Sequence, residues 1–136
     1  MEVSTLLLAD YASRDQGGKF TLVGAGITEI KTRQVPFVHP LIFLFLRIQT
    51  TIQDLGKNKI EVRILGEKGV VFKTDGDITV TPDHYERREI PIPFQLAGLK
   101  FPVAGEYHVD VNINGNLKQS QSFRVELIQP NQNKKA

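Results

Sequence analysis

Residues 105–116 read GEYHVDVNINGN, apolar and polar in near-strict alternation until the run halts at Asn114-Gly115. A period of two sends successive side chains to opposite faces, which is the pattern of a half-buried β-strand. Asn-Gly readily supplies the two positive φ angles of a tight hairpin. Tyr107, Val109, Val111 and Ile113 share one face, and Phe123, Val125 and Leu127 share one face of the returning strand. A two-residue loop alone would pair odd positions with even ones and point apolar residues at the wrong side. A three-residue loop over Asn114–Asn116, or an Asn-Gly turn corrected by a bulge, sets Tyr107 opposite Phe123.

The rest of the chain repeats the pattern. Strands are predicted over 3–12, 19–30, 41–50, 58–66, 70–73, 78–81 and 89–96, with GEKG and TDGD as turns and 31–40 as a connection. No stretch of ten residues shows a helical period, so no helix is expected to cover a sheet. About nine strands of this kind predict an all-β fold, an antiparallel β-sandwich of immunoglobulin-like architecture; a partly closed barrel is the alternative. Gly24 and Gly26, inside a strand, mark a bulge or a close backbone approach. Pro91 and Pro93, two residues apart, remove two donors from the same side of one strand and place it at a sheet edge. The core is predicted to hold Ile60, Val62, Ile64, Ile90, Ile92, Phe94, Tyr107, Val109, Val111, Phe123, Val125 and Leu127. One domain is expected over 1–129, followed by a polar tail over 130–136.

A chain of 136 residues suits such a domain. Seventeen basic against fifteen acidic residues leave a net charge of +2, too little to mark a nucleic-acid or anionic-membrane partner. There is no cysteine, which suits a reducing compartment. MEVSTLLLADY has neither the positive start nor the long apolar run of a secretion signal, and Leu41–Leu46 is far too short to span a membrane. A cytoplasmic location is expected.

LLADYA, GKFTLVGAGI and GEYHVDVNING, in this order, resemble a family of small bacterial proteins defined only as a domain of unknown function. The similarity runs over most of 5–128. It implies a one-domain β-sandwich from a bacterium or phage, and it brings no catalytic residues with it.

The residues themselves assign no chemistry. Gly24-Ala25-Gly26 lies within a strand and has Glu29 at the sixth position, so the dinucleotide fingerprint fails. His108, Asp110 and Asn112 share an outward strand face, a spacing that suits metal ligands but equally an ordinary solvated face. Asp54, Asp75 and Asp77 read as turn formers rather than a calcium cluster. Asp10, which interrupts an apolar strand, reads as the acceptor for the turn at 13–18, or as half of an acid–base pair. His39 and His84 fall in predicted connections. No catalytic, cofactor-binding or metal-binding residue is therefore assigned and no cofactor is expected. The expected function is a non-enzymatic interaction or assembly module; the alternative is an enzyme or small-ligand module with a loop-built site that uses Asp10, His84 or His108.

One irregularity points to a partner. Leu41, Phe43 and Phe45 share the phase of Arg47 and Gln49, which marks that phase as outward. Asp10 likewise marks the even phase of the first strand as outward, placing Leu6 and Leu8 there. Five large apolar side chains on one outer face need a cover. That cover is either another protein, most simply a second copy of the chain, or the connection 31–40 folding back with Val35, Phe37 and Val38.

Overall fold

The computed structural model describes residues 1–17, 19–83 and 89–128. Strands carry most of them: β1 (Glu2–Ala9), β2 (Tyr11–Arg14), β3 (Phe20–Val23), β4 (Glu29–Thr32), β5 (Phe37–Gln49), β6 (Gly56–Gly66), β7 (Gly69–Val80), β8 (Glu89–Phe101), β9 (Gly105–Ile113) and β10 (Asn116–Leu127), with a 3-10 turn at Ile52–Asp54. Two sheets pack face to face. One has three strands in the order β1-β5-β8, the other five in the order β4-β10-β9-β6-β7, and β2 and β3 form a separate hairpin. The predicted sandwich is therefore present. Its strand order matches an immunoglobulin-like arrangement, with β5 and β8 in one sheet facing β10, β9 and β6 in the other. Among the described residues all strand pairings are antiparallel except β4 with β10. The first strand of such a fold is here divided: β1 belongs to one sheet and β4 to the other, with the β2–β3 hairpin between them.

Several predicted boundaries need correction. The strand expected over 3–12 breaks at Asp10, and the one over 19–30 breaks at Gly24–Gly26, where φ is 61° at Gly24 and 84° at Gly26. The close approach expected of those glycines is real, because the Gly26 and Ile27 N–H groups both donate to the Leu8 carbonyl. TDGD is not a turn: β7 runs straight through it, and Asp75 and Asp77 reach Lys59 and Lys57 across the β6 ladder at 3.7 and 4.0 Å. A charged edge strand reads like a turn in sequence because both favour Asp and Gly. His39 and Pro40 lie in β5, which starts at Phe37 rather than Leu41.

The last hairpin takes the Asn-Gly form. Ile113 pairs with Asn116, φ is 52° at Asn114 and 83° at Gly115, and a bulge between Leu117 and Gln119 restores the register that sets Tyr107 opposite Phe123. The edge position of β8 is also as Pro91 and Pro93 require. Of the predicted core, Ile60, Val62, Ile64, Tyr107, Val109, Val111, Phe123 and Val125 are buried together. Ile90, Ile92 and Phe94 are only partly buried, because β8 is an edge strand, and Leu127 is exposed at the end of β10. The phase of β5 opposite Arg47 and Gln49 completes the core with Leu44, Leu46 and Ile48, joined by Leu96 and by Phe101, which lies beyond the strand end expected at 96.

Sensitivity to acid has a visible local source. The Thr51 N–H donates to Asp54 Oδ2 at 2.8 Å, and the Met1 ammonium lies 3.4 Å from the same oxygen. Burial disfavours the Asp54 carboxylate, but the Thr51 bond and the ammonium outweigh it and hold its pKa below the ordinary value. A depressed carboxyl pKa adds stability that is present above the unfolded-state value and lost as pH falls through the folded one. Asp54→Asn is expected to cost about 1 kcal/mol at neutral pH, with the gap to the parent closing on acidification below about pH 4; urea melts at several pH values measure it.

The aromatic centre of the core has one tight constraint. Tyr107 is in edge contact with Phe101 at 5.0 Å and stacks on Phe123 at 5.9 Å, and its hydroxyl donates to the Val103 carbonyl at 2.6 Å. This link from a strand's start back to the preceding turn resembles the tyrosine corner of immunoglobulin-like sandwiches. The ring lies directly against Gly66, where any Cβ would collide with it. Gly66→Ala is expected to cost about 1–3 kcal/mol by overpacking, and Tyr107→Phe about 1 kcal/mol by loss of the hydroxyl bond; equilibrium urea unfolding reads both.

Candidate interaction surface

The outward apolar face exists, but the structure changes both its membership and its cover. Leu6 pairs with Leu46 and Leu8 with Leu44, so both turn inward and are buried in the core at 8% and 2% exposure. The expectation that they face outward fails because Asp10 lies beyond β1, where the chain bends into β2; its phase does not carry back along the strand. Leu7 and Ala9, opposite Phe45 and Phe43, take the outer side instead.

Phe43 and Phe45 do point outward from the sandwich, yet each is only 4% exposed. The β2–β3 hairpin covers them. Tyr11 meets the Phe43 ring edge-on at 5.3 Å, and Phe20 packs on Phe45 at 5.0 Å. The connection 31–40 is not the cover: Phe37 stacks instead on Phe101 at the far end of β5 and β8. Of the five residues expected to form the surface, Leu41 alone remains exposed, at 39%.

The hairpin is pinned at both ends. At its base the Asp10 N–H donates to the Val23 carbonyl at 3.0 Å, and the Asp10 carboxylate sits against Gly24. At its tip Asp15 Oδ1 accepts the N–H groups of Gly17 and Lys19, both at 2.9 Å. The acceptor for this turn is therefore Asp15, not Asp10 as expected; an Asp two residues before the glycine is placed to close such a turn.

What the hairpin turns to solvent differs along its length. Near the base, Tyr11 and Val23 are cross-strand partners, 49% and 52% exposed, and Tyr11 lies on Phe43, two residues from Leu41 on the same face. Leu41 in turn is paired with the exposed Ala97. These side chains form an apolar rim around the covered phenylalanines. Near the tip, Arg14, Gly17, Lys19, Phe20, Arg47, Glu89 and Pro91 line a polar groove of about 390 Å³. The Arg14 guanidinium lies 5.6 Å over the Phe20 ring, and Arg47 Nε is 3.6 Å from Glu89.

The opposite side of the sandwich is charged and internally paired. Glu61 lies 3.0 Å from Arg63 and 3.4 Å from Lys73. His108 and Asp110 point outward from β9 as expected, with His108 Nε2 3.7 Å from Asp110, while Asn112 shares their phase but is buried at 9% exposure. Ser120 Oγ donates to the other Asp110 oxygen at 2.7 Å. Asp110 thus stands between serine and histidine, the wrong order for a histidine to take the serine proton. Asp10 and His108 lie on opposite sides of the core, and His84 falls outside the described residues. Among the described residues no three His, Asp or Glu side chains converge as a metal set, and no helix is long and apolar enough to cross a membrane.

A family model of unknown function, DUF6941, matches residues 4–126, from β1 through nearly all of β10. The chain belongs to that family. No curated protein matches the chain. Among solved structures, Pseudomonas fluorescens alkylpurine DNA glycosylase AlkC, bound to DNA containing an abasic site analog, is similar to it at 14% identity and a TM-score of 0.48. That likeness covers 73% of this chain and 28% of the glycosylase chain.

In this member of DUF6941 the closed hairpin keeps Phe43 and Phe45 out of water. Phe43→Ala is expected to cost about 3–5 kcal/mol, as for other buried phenylalanines. Phe20→Ala should act more locally, speeding amide hydrogen exchange in β2 and β3 more than in β9; exchange by mass spectrometry distinguishes the two.

Proposed function

We propose that this DUF6941 chain is a non-enzymatic protein-interaction module of the cytoplasm, which engages another protein, most simply a second copy of itself, through the apolar rim of the hairpin-capped face. The observation that carries the reading is the group Tyr11, Val23 and Leu41, left exposed around Phe43. A tyrosine with an apolar body and a polar tip, next to aliphatic neighbours, is suited to the centre of an interface. A standard interface buries about 800 Å² per partner, so the rim would form its centre and the polar residues of the hairpin its border. The small net charge supports a protein partner over nucleic acid or an anionic membrane.

Light scattering on the native chain tests the simplest form. A mass near twice 15.3 kDa is expected, falling to the single-chain mass in Val23→Glu and Leu41→Glu while the melting temperature stays near the parent's. A chain that is monomeric, and whose cross-linked partners in host lysate are unchanged by both substitutions, overturns the reading.

A further inference from the structure

We propose that the groove beneath the hairpin tip binds a phosphate monoester dianion. The inference goes beyond the apolar rim and uses different residues. The groove is walled by two separate elements, the β2–β3 tip and the edge formed by β5 and β8. Among the described residues that line it, three are cationic, Arg14, Lys19 and Arg47, and one is acidic, Glu89, a surplus of two positive charges. A phosphate monoester carries close to two negative charges at neutral pH, whereas a single carboxylate would neutralise only half of that surplus.

The cations are also placed for the task. Arg14 is held over the Phe20 ring, and Phe20 is itself seated on Phe45, so the guanidinium rests on a packed support. Arg14 and Lys19 have no carboxylate partner among the described residues. Arg47 is oriented by Glu89 through Nε, and a guanidinium with five donors retains others for a ligand. Asp15, the other acid at the tip, directs Oδ1 to the backbone of its own turn, which fixes the chain at Lys19. Guanidinium groups pair with phosphate through two parallel hydrogen bonds, and positioning them before binding lowers the entropy cost. A volume of about 390 Å³ admits a phosphate with a small organic group attached.

The test is a titration of the full chain with O-phosphoserine, followed by amide chemical shifts and calorimetry at low salt. Saturable binding is expected, with shifts centred on residues 14–20 and 47. Arg14→Ala and Arg47→Ala should each weaken it about tenfold or more, while Lys73→Ala on the opposite side of the sandwich leaves it unchanged. Glu89→Gln should tighten binding, a change of sign that a merely structural role for this residue would not produce. A phosphoserine tripeptide capped at both ends is run alongside: tighter binding than the free amino acid places the phosphate on a protein, and equal binding places it on a small molecule. No saturation by about 10 mM, where an affinity of only about 3 kcal/mol would remain, overturns the proposal. So does binding that Arg14→Ala, Arg47→Ala and Lys73→Ala weaken equally, since that is general attraction to positive charge. Loss of the rim's self-association in Leu41→Glu, a β5 residue outside the groove lining, does not bear on this titration, so each reading can fail alone.

Discussion

The molecule is organised around the apolar character of both faces of β5. A strand of a two-layer sandwich normally buries one face and wets the other. Here Ile42, Leu44, Leu46 and Ile48 enter the core, while Phe43 and Phe45 stand on the reverse side. Leaving two phenylalanine rings in water would forgo several kcal/mol, at about 25 cal/mol per Å² of apolar surface. The chain resolves this by dividing its first strand. β1 pairs with β5, the chain leaves the sheet at Asp10, builds a hairpin over the phenylalanines, and returns as β4 on the other sheet. The positive φ values at Gly24 and Gly26 allow that return, which is why glycines interrupt what reads as one strand.

The C-terminal half was the more legible part of the sequence. Clean alternation in β6, β9 and β10 identified their inner faces, because each has one wet face and one dry one. The parity of Tyr107 and Phe123 also narrowed the last turn to two forms, one of which is present. Legibility fails where two layers lie on one sheet. The outward phase of β5 is legible from Arg47, but its cover is not, since Tyr11 and Phe20 sit in short segments whose alternation carries no directional mark. Asp10 misled about β1 because a polar residue at a bend reports on the bend, not on the strand before it. At β7 the aspartates and Gly76 suggested a turn, and only the cross-strand lysines of β6 show them as guards of an exposed edge.

The same dependence bears on the surface. Two strands of four residues make a hairpin that would be marginal alone. Its stability comes from what it covers: Tyr11 on Phe43 and Phe20 on Phe45 tie the base and the tip to one rigid strand. An opening of the hairpin would expose both phenylalanines together, so the two contacts act as a unit rather than as independent anchors. The surface the hairpin presents is therefore held with the firmness of β5, even though its backbone lies outside both main sheets. That makes it a better platform for recognition than an ordinary loop of equal length, whose residues would have to be ordered by the ligand. It also divides the platform: the Tyr11 end inherits an apolar surround from Leu41 and Ala97, and the Phe20 end inherits charge from Arg47 and Glu89. One face thus offers two chemically different contacts whose spacing is set by the length of β5 between Leu41 and Arg47.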